Sequence, residues 1–126
     1  MSEVSNKGSI MVVDDDQSVR DIVARALRSE GYDVITAANG RDALERTSRR
    51  SFDLVFLDIR MPGLHGLDVL TLMTAGRPTT PVVILTGQAD SDTEERAAQL
   101  GAFAYLKKPC SVREIVEVAE RLITAN

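Results

Sequence analysis

The sequence predicts an α/β protein built on a doubly wound, five-stranded parallel sheet with five helices. Three observations carry this prediction. Five short apolar runs recur along the chain, at residues 10–13, 34–35, 54–57, 82–85 and 103–106. A helical pattern follows each run. Polar residues gather just after several of the runs, where sites form in open α/β sheets.

The runs at 10–13, 54–57 and 82–85 are apolar without alternation and rich in Val, Ile and Leu, as strands covered on both faces are. After the first run, Val19, Ile22, Val23, Ala26 and Leu27 follow helical spacing and predict one buried stripe. Gly31 lies just past that helix, where a left-handed residue closes it at little cost. The second helix starts at Asn39 as N-cap and buries Ala43 and Leu44. The third starts near Gly66 and buries Leu67 and Leu70, and the fourth spans about residues 91–100. In the fifth, Val112, Ile115, Val116, Ala119, Leu122 and Ile123 form a continuous stripe, with Ser111 as N-cap and Glu114 three residues on in a capping-box pattern.

The 126 residues suit one domain, expected over 1–126 with an ordered core of about 9–124. With only a few residues after the fifth helix, no output domain is expected within these 126 residues. The formal net charge of −4 argues against a nucleic-acid surface, and the Arg49–Arg50 pair reads as a solvated helix end. A single cysteine, Cys110, excludes an intrachain disulfide. The polar start lacks the apolar core of a signal peptide, and no run approaches a membrane span. A cytoplasmic protein is expected.

Asp14, Asp15 and Asp16 follow the first strand, Asp58 the third, Thr86 the fourth and Lys108 the fifth. Four strands thus deliver carboxylates, a hydroxyl and an ammonium to one rim. Carboxylates crowded together repel one another unless a cation intervenes. An anionic, all-oxygen site suits Mg²⁺. A carboxylate flanked by Mg²⁺, Lys108 and a hydroxyl is arranged to receive a phosphoryl group.

IMVVDDD at 10–16, LVFLDIRMPGLHG at 54–66, VVILTG at 82–87 and YLKKP at 105–109 resemble the receiver domain of bacterial two-component response regulators. The resemblance covers nearly the whole chain. It implies a flavodoxin-like sheet of order 2-1-3-4-5, and a phosphoryl group donated by a sensor histidine kinase or a histidine phosphotransfer protein. It implies Asp58 as phosphoacceptor, Asp14 and Asp15 as the acidic pair with Asp15 the direct metal ligand, and a metal contact from the Arg60 backbone carbonyl. Thr86 matches the switch hydroxyl, Lys108 the phosphate-pairing lysine, and Tyr105 the aromatic that turns inward on activation. Arg60 and Gln88 match positions flanking the path of the water that hydrolyses the acyl phosphate. A cis peptide before Pro109 is implied as well. The family's downstream effectors, or a second copy, meet the face made by the fourth helix, fifth strand and fifth helix. Such a domain is a signalling phosphoacceptor rather than an enzyme, although it supports its own phosphorylation and dephosphorylation.

Two positions depart from the family pattern. His65 replaces a common acidic residue and Cys110 a common aromatic. Plain readings suit several residues: Asp16 at a helix N-terminus, His65 as an exposed loop residue, Cys110 as a packed thiol, Lys107 as solvated, and Met61 and Pro62 as loop-shaping. Two other functions compete. One is a Mg²⁺-dependent phosphatase with an aspartyl nucleophile, which the Asp14-x-Asp16 spacing mimics. The other is a degenerate receiver serving only as a scaffold.

Overall fold

The computed structural model describes residues 7–60, 65–87 and 91–124. The order of elements is β1 (Ser9–Val13), α1 (Gln17–Ser29), β2 (Asp33–Ala37), α2 (Gly40–Arg49), β3 (Leu54–Leu57), α3 (Gly66–Gly76), β4 (Val82–Thr86), α4 (Ser91–Gln99), β5 (Ala104–Lys107) and α5 (Val112–Thr124). The strands form one sheet of order β2-β1-β3-β4-β5, parallel throughout. This is the predicted order. Met61, Pro62 and Gln88 lie outside the described residues.

The alternation of side chains along the strands divides the core in two. Met11, Val13, Val55, Leu57, Val82 and Ile84 face α2, α3 and α4, meeting Ala43, Val69, Leu70, Met73 and Ala97. Ile10, Val12, Leu54, Phe56, Val83 and Leu85 face α1 and α5, meeting Val23, Ala24, Leu27, Ile115, Ala119 and Ile123. Both faces of the central strands are therefore covered, which is why their sequences read as unbroken apolar runs.

The helix ends follow their local chemistry. Asp16 caps α1 by accepting from the Ser18 and Val19 N–H groups at 2.9 and 3.4 Å. Gly31, at φ 103°, closes it, with its N–H on the Arg28 carbonyl and that of Tyr32 on the Leu27 carbonyl. Asn39 caps α2 through the Asp42 N–H at 2.8 Å. Ser111 Oγ accepts from the Glu114 N–H at 3.1 Å, the first half of the expected capping box. At the far end of α2, Arg49 pairs with Glu45, while Arg50 pairs with Asp33 and lies over the Phe52 ring.

Two apolar residues depart from the sequence reading. Ile22 is 56% exposed, and the buried stripe of α1 centres instead on Val23, Ala24 and Leu27. Helical spacing marks a face, but its width depends on what covers it. Ile22 sits at the flank, where with Val19 it lines an open groove against Pro109, Cys110 and Val112. Phe103 precedes β5 rather than joining it and is 64% exposed. Its N–H still meets the Val82 carbonyl at 2.8 Å. β5 is an edge strand, so an apolar residue at its start has a strand neighbour on one side only.

Tyr32 is 4% exposed, and its hydroxyl has no hydrogen-bond partner. Burial is the main influence pushing its pKa up, with Glu120 and Glu30 adding to it. The neutral phenol is thus the form the fold favours. Stability is fully present below the unfolded pKa, near 10, and is lost as pH rises toward the folded value. Tyr32→Phe removes an orphaned polar atom and is expected to leave stability unchanged or raise it by about 1 kcal/mol at neutral pH. Above about pH 10 the advantage of Tyr32→Phe should widen. Urea unfolding of both proteins at neutral and alkaline pH measures this, and an advantage that shrinks at high pH would refute it.

Candidate functional site

The carboxyl ends of β1, β3, β4 and β5 meet at one rim. The register pairs Val13 with Leu57, so the next residues, Asp14 and Asp58, stand side by side. The Asp58 N–H donates to the Val13 carbonyl at 2.9 Å, and the Asp14 N–H to the Ala37 carbonyl at 3.1 Å. Chain order reverses across the sheet between β1 and β3, the switch point where open α/β sheets place their ligands.

Asp14, Asp58 and Thr86 are all buried. The Lys108 ammonium bridges the two aspartates, 2.5 Å from Asp14 Oδ2 and 3.0 Å from Asp58 Oδ2. The other oxygens are also engaged. Asp14 Oδ1 accepts from the Asp16 N–H at 2.9 Å, and Asp58 Oδ1 from the Arg60 N–H at 2.8 Å. Burial is the largest influence on Asp14 and pushes its carboxyl up, against the opposing pull of Lys108 and the Asp16 N–H. Burial also works against charge on Lys108, but its two carboxylate partners outweigh that and raise its pKa.

Carboxylate oxygens of Asp14, Asp15 and Asp58 come within 4.8 Å of one another, the first and last buried and Asp15 exposed. This donor set is hard, anionic and all oxygen, and it fits a small divalent cation of the Mg²⁺ type. Asp16 is absent from the cluster because its carboxylate caps α1.

Thr86 ends β4, and its carbonyl accepts the Lys108 N–H at 2.8 Å. Tyr105 lies within β5, half-buried against the core on the α2–α3–α4 side. The Arg60 side chain and Lys107 are exposed. The Lys108–Pro109 peptide is cis, as the resemblance implied. Cys110 is half-buried against the α1–α5 core, and burial pushes its thiol pKa up, in keeping with a packed thiol.

The site also holds contacts that the sequence did not disclose. His65 is the N-cap of α3, its Nδ1 accepting from the Leu67 N–H at 3.2 Å. Arg20 on α1 donates to the Asp14 main-chain carbonyl at 2.7 Å. An arginine one turn into a helix that begins at the site rim was the available signal for the second.

Comparison with known proteins agrees with this geometry. Residues 10–120 match the family model described as the response regulator receiver domain. The DNA-binding transcriptional regulator NtrC of Escherichia coli is 41% identical over 118 residues, covering 94% of this chain and 25% of NtrC. The chain therefore spans about a quarter of the length of that relative. A CheY-like receiver domain protein from Methanospirillum hungatei has TM-score 0.88 at 32% identity, covering 94% of each chain. The receiver domain of NtrX from Brucella abortus has TM-score 0.86 at 36% identity, covering 93% of this chain and 99% of that one.

The fold, the acidic rim and these likenesses define a signalling domain of two-component systems. The chain belongs to the response regulator receiver domain family, whose function is to accept a phosphoryl group.

Gly66 shows how tightly the rim is built. A Cβ there would lie 2.2 Å from Ile59 Cα and 2.4 Å from its carbonyl oxygen. Ile59 sits between Asp58 and Arg60, so the first turn of α3 rests directly on the loop that carries both. Gly66→Ala is expected to destabilise the protein by about 1–3 kcal/mol, the range for overpacking, and to shift the Asp58 and Arg60 amide resonances. Denaturant unfolding and backbone chemical shifts measure the two effects; wild-type stability with unmoved resonances would contradict the close approach.

Proposed function

We propose that residues 1–126 act as one receiver unit, with a core of about 9–124, in which Asp58 accepts a phosphoryl group from a phosphohistidine. The donor is a sensor histidine kinase or a histidine phosphotransfer protein. The observation that carries this reading is the Lys108 ammonium, bonded at once to buried Asp14 and Asp58. It is a cation already beside an Asp58 carboxylate oxygen.

An Asp58 carboxylate oxygen forms the new P–O bond as the bond from phosphorus to the donor imidazole nitrogen breaks. The imidazole leaves with that electron pair. Lys108 turns from the carboxylates to a phosphoryl oxygen, offsetting its charge, and the Thr86 hydroxyl binds another. Asp14, Asp15, Asp58 and the Arg60 backbone carbonyl would hold Mg²⁺, which would supply positive charge to offset that of the phosphoryl group. Asp15 is the direct ligand among the acidic pair. What supports this is its place as the exposed member of the cluster, open to an arriving cation. The chain then acts as a cytoplasmic signalling phosphoacceptor that assists its own phosphorylation and dephosphorylation. It is not an enzyme acting on a separate substrate. No helix among the described residues is long and apolar enough to cross a membrane.

With Mg²⁺ and acetyl phosphate, one hydroxylamine-labile phosphoryl group per chain is expected on Asp58, and none on Asp58→Asn. Multiple turnover through Asp14 would favour a phosphatase instead, and no labelling at all would favour a scaffold.

The signal leaves through Thr86 and Tyr105 toward the face of α4, β5 and α5. There a downstream effector or a second copy binds, with no direct nucleic-acid contact by this chain. The charged phosphoryl acceptor draws in the Thr86 hydroxyl, and Tyr105 turns into the space behind it. Thr86→Ala should still accept phosphate on Asp58 but transmit little. Backbone chemical shifts of residues 91–124, with and without beryllofluoride, compare the parent with Thr86→Ala. An equal response in both would remove Thr86 from the route.

A further inference from the structure

Asp14 is held at every polar handle. Its N–H donates to Ala37, its Oδ1 accepts from Asp16 and its Oδ2 from Lys108. The remaining handle is the main-chain carbonyl, which accepts from the Arg20 guanidinium at 2.7 Å. That oxygen belongs to the peptide joining Asp14 to Asp15. The orientation of this peptide plane sets φ of Asp15, and with it the direction in which the Asp15 side chain leaves the backbone. Asp15 is the exposed member of the carboxylate cluster, so the direction in which it leaves the backbone decides where its carboxylate lies.

We propose that Arg20 is a positioning residue for metal binding: by pinning the Asp14–Asp15 peptide it aims the Asp15 carboxylate at the cation. This inference rests on the reading of Asp15 as a Mg²⁺ ligand. A guanidinium makes the firmer clamp because it is always charged and its planar fork is largely pre-organised. Arg20 is half-buried, and its helix begins at the Asp16 cap, the residue immediately after the acidic pair. The clamp therefore ties the first turns of α1 to the end of β1 across the turn that carries Asp15.

Position and charge make opposite predictions. A guanidinium near a divalent cation repels it, so charge alone would let Mg²⁺ bind more tightly once Arg20 is removed. Positioning predicts weaker binding.

Mg²⁺ titrations of the full chain, followed by the Asp15 and Asp16 amide shifts, separate the two. Arg20→Met should weaken Mg²⁺ affinity by about tenfold, the lower range for loss of an outer contact that orients a ligand. Arg20→Lys, which keeps the charge and a donor, should recover part of that. Arg20→Gln provides a second neutral variant should the methionine protein fail to fold. Without metal, the Asp16 amide should exchange with solvent faster in Arg20→Met than in the parent, as its bond to Asp14 Oδ1 loosens. Equal or tighter Mg²⁺ binding in the neutral variants would overturn the inference. An Asp15→Ala control distinguishes the failures. If Asp15→Ala binds Mg²⁺ as the parent does, the metal reading falls and Arg20 with it. If Asp15→Ala binds weakly while the neutral Arg20 variants do not, only the Arg20 inference falls.

Discussion

The parallel register of β1 against β3 sets two carboxylates side by side in a buried rim, and the charged groups around them are arranged in response. Val13 pairs with Leu57, so Asp14 and Asp58 cannot move apart without breaking the ladder between two fully covered strands. Ionised groups in such surroundings need a counter-charge. Lys108 reaches in from the end of β5 and touches both. Burial pushes the Asp14 carboxyl up in spite of the opposing pull of Lys108. An acid whose pKa is raised by folding costs stability once pH climbs above its unfolded value. Lys108 has the opposite effect. Its raised pKa contributes stability that persists through neutrality and is lost only as pH passes its folded value. Three carboxylates facing one ammonium leave the rim short of positive charge, and a divalent cation would relieve that shortage.

Much of this was legible in the sequence, for identifiable reasons. Strands 54–57 and 82–85 were readable because helices on both faces demand unbroken apolar runs, and both lie within strands of the sheet. Gly31, Asn39 and Ser111 were readable because helix ends leave unsatisfied backbone groups that few residue types can answer. The site residues were readable because four separate strand ends carried polar residues, and only a shared rim explains that placement.

What escaped the sequence depends on partners far along the chain or on the extent of cover. Ile22 has the spacing of a core residue, but spacing does not say how far α5 and the β5–α5 loop extend over α1. Phe103 belongs by composition to a strand, yet it lies ahead of the edge strand with much of its ring in solvent. His65 read as an ordinary loop histidine because histidine is not among the favoured capping residues. Its Nδ1 nevertheless occupies the capping position of α3. Arg20 escaped for another reason: its partner is a backbone carbonyl, which the sequence does not mark, and only its place one turn into α1 pointed toward the rim.

The placement of Thr86 and Tyr105 bears on how a local charge change can travel. Thr86 is opposite Lys107 and Ile84 opposite Tyr105, so in this parallel pair Thr86 and Tyr105 share a face of the sheet, two residues apart in register. Ile84 and Tyr105 both pack on the α2–α3–α4 side. The strands differ in how firmly they are held. β1, β3 and β4 are almost wholly buried, where even a one-methylene change is resisted by close packing. β5 is the edge strand, and Ala104, Tyr105 and Leu106 are only half-buried. Tyr105 there is less enclosed than the wholly buried Ile84 beside it. The sheet's order thus sets the least enclosed strand beside Thr86, at the edge next to β4.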